Sequence, residues 1–377
     1  MFARTLAPYQ AAVVRIGVAF TFCAFLLREW PLRRELYGDR TAWSLDLARQ
    51  MLAGNHAFTL LAWSDSRVWF EFVYTLAIVV GALLLVGWRT RLTSVLFMLL
   101  VLSLENRAAL LGDGGDNVVH LLAIYLAFTR CGTVWSLDAR RVRRHAASGS
   151  DPWGAALWLA AGAALAVSWA TGVPAPGVLG FGSHSWGLLL WPSWAVTGVH
   201  HALRVRRSRG EAAAVSEALA NLVHNSAMLV IAVQVCLIYA TAGWYKIQGS
   251  LWQNGSAVYY PLHLPYFAPW PELAPVLSGN STLVLLLTYG TVMVQVSFPF
   301  LVFNRRIKNV LLILMIAEHI GIAVILGLPF FSLAMITADA VFLPTGFLRR
   351  VEALGAACFA GPVRTRPRPD TATAPAP

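Results

Sequence analysis

The chain has 377 residues, of which 58% are hydrophobic and only 12% are charged, compared with about 25% charged residues in an ordinary soluble domain. This composition excludes a soluble enzyme and a disordered protein. Apolar runs recur as far as about residue 348, and each is long enough to cross a hydrocarbon core roughly 30 Å thick. We therefore predict an all-α polytopic membrane protein.

The predicted elements, in chain order, are about ten transmembrane helices. They lie at residues 11–28, 69–87, 92–110, 117–130, 153–172, 184–203, 219–245, 282–303, 309–327 and 329–348. The transmembrane domain covers residues 1–348, and residues 152–203 form an apolar hairpin inserted in it, interrupted by glycine and proline. Residues 349–377 are rich in Pro, Ala, Thr and Arg, so we expect a disordered basic tail.

The formal charge of +11 is distributed unevenly along the chain, because most of the 29 lysines and arginines fall on alternate loops. By the positive-inside rule, these loops and both termini are cytoplasmic. The basic excess therefore indicates orientation in a bacterial-type plasma membrane, and we expect no nucleic-acid partner.

The first outer loop, about residues 29–68, mixes apolar and polar residues and predicts an interfacial helix. It contains or adjoins Trp43, Trp63 and Trp69, which are typical of the membrane surface. The helix either caps the outer mouth of the bundle or only anchors the loop to the bilayer.

Lys246 ends a long apolar run on the predicted outer side, and it is one of only two lysines in the chain. A partly desolvated amine can lose its proton, whereas a guanidinium group cannot, so Lys246 is a candidate general base. The alternative is a lysine that extends from a helix end to water.

The turn at residues 112–116, Gly-Asp-Gly-Gly-Asp, precedes the fourth predicted helix, and His120 follows one turn later. Asp116 and His120 are candidates to line the same outer mouth as Lys246. One histidine with two aspartates is weak support for a metal site, and Gly-Asp turns more often cap helices. We therefore favour a helix cap, with Asp116 or Asn117 as the N-cap residue, and predict no metal.

Several ionisable residues lie inside predicted helices, where charges are costly and normally face a cavity or a partner. Among them are Arg15, Glu318, His319 and Asp339. Arg15 is the obvious cation to pair with Glu318 or Asp339. A proton pathway and a buried structural ion pair would each explain these residues.

Trp252, Tyr259 and Tyr260 lie in an outer loop that is dense in aromatic residues and prolines. Such a loop is suited to holding an apolar or ring-shaped ligand. The alternative is aromatic anchoring at the membrane surface.

Four segments together carry a resemblance to a known family, the HTTM (horizontally transferred transmembrane) family. This family includes the membrane domain of vitamin K-dependent gamma-carboxylase and its bacterial relatives. The segments are Ala242-Gly243-Trp244-Tyr245-Lys246 with Trp252 and Gly255, Gly112-Asp113-Gly114-Gly115-Asp116, Trp135-Ser136-Leu137-Asp138, and His319-Ile320-Gly321 through Gly327-Leu328 to Phe331.

The resemblance implies a chemistry for Lys246. In the carboxylase, the matching lysine deprotonates reduced vitamin K, whose oxygenation yields a stronger base that acts on peptide glutamate, and carbon dioxide then adds to the carbanion. Asp116, His120, His319 and Asp339 would support Lys246, while Trp252, Tyr259 and Tyr260 would hold a reduced quinone, either vitamin K or menaquinol. The carboxylase has Asn-Asn-His where this chain has Gly114-Gly115-Asp116, so His120 is offset.

The aromatic loop is most similar to that of the sporulation-delaying protein B branch, which takes part in producing a secreted peptide toxin. Our first hypothesis is a membrane protein that matures an exported peptide, by quinol-coupled glutamate carboxylation with carbon dioxide and oxygen. The second is a non-catalytic export, immunity or assembly partner of a peptide toxin, and the third is a transporter. Expected partners are the bilayer, a secreted peptide or toxin precursor, and a small protein from the same operon.

Overall fold

The computed structural model describes residues 4–55, 57–144, 152–170, 191–199, 202 and 210–359, and these residues form helices and no strand. This confirms the predicted all-α class. The helices of eight or more residues are α1 Pro8–Arg28, α2 Leu45–Asn55, α3 Arg67–Val86, α4 Thr90–Arg107, α5 Gly114–Ala127, α6 Leu137–Arg144, α7 Pro152–Ala170, α8 191–199, α9 Glu211–Gln248, α10 Ser281–Leu301, α11 Arg305–Ile325, α12 Pro329–Asp339 and α13 Thr345–Phe359.

Shorter helical turns connect these elements, three near the first loop and four between α9 and α10. They are Trp30–Leu32, Arg33–Leu36, Leu60–Trp63, Ser250–Gln253, Tyr259–Leu262, Pro265–Phe267, Leu273–Ser278 and, after α12, Ala340–Phe342.

Long helices of the bundle run back and forth between two ends. We call one the basic end, because it holds the α10–α11 connection with Arg305, Arg306 and Lys308, and the other the loop end, because it holds residues 249–280. A hydrogen bond joins separate segments at each end. Lys308 donates to Phe342 O at the basic end, and Trp270 donates to Val324 O at the loop end.

Five helices are long and apolar enough to cross a membrane, namely α1, α3, α9, α10 and α11. A sixth candidate is a bent pair of helices, in which α12 with its following turn is one half and α13 is the other, and the bend between them is 109°. These helices support a membrane-embedded protein, but they do not confirm ten spans. Two predicted spans fall short, because α4 carries Arg91, Glu105 and Arg107 and α5 has only 14 residues.

Helix α1 lies at the centre of the bundle and packs against α3, α5 and α12. The apolar window of α1 is 61% buried, compared with 22% for α10 and for α11. Its small residues Ala11, Ala12 and Ala19 are completely buried, which lets neighbouring helices approach closely. The outer helices α10 and α11 therefore present much more apolar side-chain surface to their surroundings.

Arg15 of α1 does not form the ion pair that the sequence suggested. Its guanidinium donates to the main-chain carbonyls of Cys131 and Trp135, at 3.0 and 2.6 Å. Glu318 and Asp339 instead accept hydrogen bonds from neutral side chains, Gln295 and Tyr239. The predicted ion pair does not form, because the guanidinium bonds to main-chain carbonyls of the connection after α5 and both acids have neutral partners.

The connection from α5 to α6 is fixed by Arg15 and by Asp138, so the Trp135–Asp138 segment of the resemblance has a structural role. The Asp138 carboxylate accepts hydrogen bonds from the main-chain N–H groups of Arg89 and Thr90 at the start of α4. Gly87 lies beside them with a φ of 74°, and a Cβ atom there would come 2.7 Å from Arg15 Nη1. Only glycine adopts this conformation in so little space.

The first outer loop contains a helix, α2, as predicted, and its flanking segments close over α3 and α4. Trp43 Nε1 donates to Arg107 O at 3.1 Å, and Asn106 donates to Phe58 O at 2.8 Å. In the turn that precedes α2, a hydrogen bond from Arg34 lowers the pKa of Asp39 to about 2. The position of α2 in the membrane interface stays a prediction.

Helices α7 and α8 pair with each other, and both lie within residues 152–203, where the sequence predicts an apolar hairpin. The rings of Trp158 and Trp194 stack with centroids 4.0 Å apart, and each indole N–H donates to the carbonyl of the other tryptophan. Gly162 and Gly198 leave space for these rings. The predicted turn between the two helices lies outside the described residues.

Helix α13 covers residues 349–359, which the sequence analysis placed in a disordered tail. Its first turns are held to α1: Tyr9 Oη donates to Glu352 at 2.7 Å, Arg349 lies over the Tyr9 ring, and Leu348 is buried. The ordered chain therefore extends past the predicted boundary because these residues pack against α1. Residues 360–377 lie outside the described part.

Candidate functional site

A line of polar side chains crosses from α9 to α11 near the loop end. Lys246 Nζ donates to Gln295 Oε1 at 2.8 Å, and Gln295 Nε2 donates to Glu318 Oε1 at 2.6 Å. Gln295 is buried, while Lys246 and Glu318 are partly buried. Because each half of its amide has a partner, Gln295 holds the lysine and the glutamate in fixed positions.

A second polar group lies next to the first and is more deeply buried. Tyr239 Oη donates to the Asp339 carboxylate, 3.0 Å from each oxygen, and lies 3.2 Å from His319 Nε2. Since the single phenolic proton goes to Asp339, the hydroxyl accepts from His319 Nε2–H. All three side chains are at most 2% exposed, and His319 Nδ1 has no hydrogen-bond partner among the described residues.

Glu318 and His319 connect the two groups through the main chain. Adjacent residues of a helix project about 100° apart, and accordingly Glu318 bonds to α10 while His319 bonds to α9 and contacts the Phe331 ring of α12. Two of the predicted intramembrane residues thus lie in separate but neighbouring polar groups, which we call the lysine group (Lys246, Gln295, Glu318) and the tyrosine group (Tyr239, His319, Asp339).

The sequence of α9 places both groups on one face. Tyr239 and Lys246 are seven residues apart, which is nearly two turns, and Gly243 lies between them. A Cβ atom at Gly243 would come 2.7 Å from Val296 Cγ2. Glycine therefore lets α9 approach α10 next to Gln295, and this close approach brings the Lys246 amine within hydrogen-bond distance of the amide.

Trp252 covers the lysine group on the side of the loop end. Its ring lies 5.2 Å from Lys246 Nζ, within the range of a cation–π contact. The loop beyond it is held to α10, because Tyr289 Oη donates to Gln253 O and Val258 N–H donates to Thr288 Oγ1. The Lys246 amine is therefore in contact with the Trp252 ring and with the Gln295 amide.

Tyr259 and Tyr260, predicted with Trp252 to hold a ring-shaped ligand, do not join the lysine group. The Tyr259 ring stacks on His263 with centroids 4.0 Å apart, and Tyr260 packs edge-on against Tyr259. Both tyrosines are more than two-fifths exposed. Of the three predicted aromatic residues, only Trp252 contacts Lys246.

Asp116 and His120 also lie apart from the lysine group. Asp113 and Asp116 form a reciprocal cap at the start of α5, in which Asp113 accepts from Asp116 N–H and Asp116 accepts from Asp113 N–H. The turn is therefore a helix cap, but its N-cap residue is Asp113 rather than Asp116 or Asn117, because the helix begins at Gly114. His120 Nδ1 pairs with Glu105 Oε2 of α4 at 2.7 Å, so its position gives it a partner other than Lys246.

The Gly-Asp turn nevertheless packs near the tyrosine group. A Cβ atom at Gly115 would lie 2.7 Å from Phe331 Cα, and the Phe331 ring contacts His319. Helix α5, which carries Asp116 and His120, therefore packs against α12. The bonds of these two residues are to Asp113 and Glu105, and not to Lys246 or His319.

Gln295 and Tyr239 are the two site residues that the sequence analysis missed. Both are neutral, so a search for intramembrane charges does not find them. A signal for Tyr239 was present in its seven-residue spacing from Lys246, and Gln295 is an uncharged polar residue inside an apolar helix.

The described residues contain no group of three or more His, Cys, Asp or Glu side chains that could hold a metal ion. Comparison of the chain with protein-family models, with curated proteins and with solved structures finds no match. The candidate site thus consists of Lys246 with its amide and aromatic contacts, beside the buried tyrosine group.

Proposed function

We propose that this membrane protein abstracts a proton from a substrate at its loop end, with Lys246 as the base, in the maturation of an exported peptide. One observation carries the proposal: the Lys246 amine is held between Gln295 and the Trp252 ring. A lysine that only extends to water needs neither contact.

The contacts of Lys246 suit a general base. A neutral amine has two N–H groups and one lone pair, and the bond to Gln295 Oε1 uses an N–H group. The lone pair is therefore left to accept a proton. The ammonium that results is stabilised by the Trp252 ring face and by the Glu318 carboxylate on the far side of Gln295.

A reduced quinone fits these residues, since Trp252 offers a ring face to a flat ligand and Lys246 offers a base to a phenolic hydroxyl. When bound, such a group supplies the reducing equivalents that quinol-coupled carboxylation of glutamate uses, with oxygen and carbon dioxide as co-reactants. The resemblance to the HTTM family and its sporulation-delaying protein B branch favours this chemistry and a secreted peptide as substrate.

We propose further that the loop end faces the outside of a bacterial-type plasma membrane. The concentration of arginine at the basic end supports this orientation through the positive-inside rule. Exposed aromatic residues at the loop end, including Tyr266 at 83% and Trp270 at 56%, offer a surface for a peptide or a small partner protein.

The experiment compares a small secreted peptide encoded beside this gene after expression with the wild-type protein, with Lys246→Arg and without the protein. Intact mass spectrometry should show a gain of one carbon dioxide per modified glutamate with the wild type and none with Lys246→Arg. The matched control is Arg67→Lys, which makes the reverse exchange at an exposed position of the same end, and it should retain the modification.

Other outcomes separate the competing functions. A cleavage or a different mass change that requires Lys246 would support peptide maturation without carboxylation. Full modification by Lys246→Arg would overturn the role of Lys246 as the base. If the mass of the peptide is unchanged but the peptide binds both the wild-type protein and Lys246→Arg, the second candidate is favoured, namely a non-catalytic export or immunity partner. The exposed aromatic loop also suits this function.

A further inference from the structure

A cavity opens at the basic end, on the opposite side of the bundle from Lys246. Its volume is about 650 Å³, which is within the range of small-molecule sites. The wall is formed by the start of α1, the α10–α11 connection and the chain between α12 and α13. The lining residues are Gln10, Val302, Phe303, Arg305, Lys308, Asn309, Val341, Phe342, Leu343, Pro344 and Thr345.

The charges of this cavity favour an anion. Arg305 and Lys308 line it, and no acidic residue is among the lining residues. Both cations lie in the first turn of α11, where positive charge is unfavourable for the helix itself. The first N–H groups of α11 already donate to the Asn304 side chain, so the two basic side chains are the groups that attract an anion. That anion would offset the cost of placing cations at this helix end.

Gln10 fixes one wall of the cavity. Its side chain is 5% exposed, and its Nε2 donates to Leu343 O and to Thr345 Oγ1, at 2.7 and 3.0 Å. These bonds hold the chain between α12 and α13 against α1, so this wall of the cavity is held in place by the protein itself.

The remaining wall is apolar. Val302, Val341 and Phe342 line the cavity, and Phe303 beside them is 87% exposed. These residues directly follow α10 and α12, which are candidate membrane spans, so an acyl chain that leaves the cavity here would enter the bilayer.

We propose that this cavity binds the phosphate headgroup of an anionic glycerophospholipid. The phosphate lies between Arg305 and Lys308, and the acyl chains extend past Phe303 into the bilayer. Basic pockets between membrane helices on the cytoplasmic side are suited to such headgroups. A net negative charge at the headgroup distinguishes this class of lipid from phosphatidylcholine, whose headgroup is zwitterionic.

The experiment measures lipid binding to the full-length protein in detergent by native mass spectrometry. The probes are phosphatidylglycerol, phosphatidic acid, phosphatidylcholine and inorganic phosphate. We expect phosphatidylglycerol and phosphatidic acid to bind the wild type more tightly than phosphatidylcholine, and Arg305→Gln and Lys308→Gln each to weaken binding of the anionic lipids about fivefold. Arg143→Gln, which removes an exposed cation from α6 at the same end, should have no effect.

Three results would overturn the proposal. They are equal binding of phosphatidylcholine and phosphatidylglycerol, equal losses in Arg143→Gln and Arg305→Gln, and displacement of the lipid by inorganic phosphate at similar concentrations, which would assign a free anion to the cavity.

Discussion

Tyr239 joins His319 to Asp339 through one hydroxyl group, so at the scale of single residues it decides whether two buried titratable side chains have a partner. Tyr239→Phe should lower the unfolding free energy by about 1–3 kcal/mol, because both side chains then lose a buried hydrogen bond. The control is Tyr245→Phe, since Tyr245 is 73% exposed on the same helix. A thermal unfolding scan in detergent compares them, and equal midpoints would contradict the tyrosine group.

Gln295 has the same importance in the lysine group. Gln295→Leu removes the acceptor of Lys246 and the donor of Glu318, so we expect a lower unfolding midpoint and loss of the Lys246-dependent peptide modification. Gln248→Leu replaces an exposed glutamine at the end of α9 and serves as the control. Activity that survives in Gln295→Leu would show that Lys246 does not need this amide.

Sequence reasoning at this scale found the charged residues but not their partners. Lys246, Glu318, His319 and Asp339 were recognised because ionisable groups inside apolar helices are costly. The partners of Arg15 and Asp339 depend on which helices touch, and the sequence does not state this. An acidic partner was therefore predicted for Arg15 from charge alone, whereas in the structure Arg15 donates to two main-chain carbonyls.

At the scale of secondary-structure elements, the contact between α9 and α10 sets the geometry of the site. Gly243→Ala would place a methyl group 2.7 Å from Val296 Cγ2, so we expect a loss of about 1–3 kcal/mol from overpacking. Gly290→Ala adds the same methyl group in α10, where nothing lies within 4 Å, and should be neutral or stabilising.

Unfolding midpoints of the two glycine variants, measured in the same detergent, test this contact directly. The two helices would not need to approach closely at Gly243 if both alanine variants had the same midpoint. A Gly243→Ala protein that folds but no longer modifies the peptide would show that the contact positions Lys246.

Most helix positions could be predicted from the sequence, because apolar runs and turn residues mark them locally. Predicted spans 11–28 and 282–303 lie within two or three residues of α1 and α10. Helix α13 was missed, since its composition resembles that of the tail and its order comes from contacts of Tyr9 with Arg349 and Glu352.

At the scale of the whole molecule, the two ends of the bundle should face opposite sides of the membrane. In a cysteine-free background, Tyr266→Cys at the loop end should react with a membrane-impermeant thiol reagent in intact cells, and Arg143→Cys should react only after lysis. Both positions are exposed, so accessibility depends on the side of the membrane. The reverse labelling pattern would show that the loop end faces the cytoplasm, and an exported peptide could then not reach Lys246.

Hydropathy alone does not predict the number of membrane-spanning helices in this chain. Helices α4 and α5 occupy predicted spans, but charged residues in α4 and the short length of α5 set them apart from the five candidate spans. Their polar residues are used within the protein, in the pair Glu105–His120 and in the cap at Asp113. Such contacts compensate for low hydropathy, and a sequence window does not register them.

Our central claim is that the Lys246 amine is reactive and accessible from the loop end. Because the sequence has only two lysines, one at each end of the bundle, this accessibility can be measured directly. Intact cells are treated with a membrane-impermeant amine-acylating reagent, and the modified lysines are located by peptide mass spectrometry. We predict that Lys246 is acylated, that Lys308 at the basic end is protected, and that acylation abolishes the peptide modification. Acylation of Lys308 with protection of Lys246 would contradict the account.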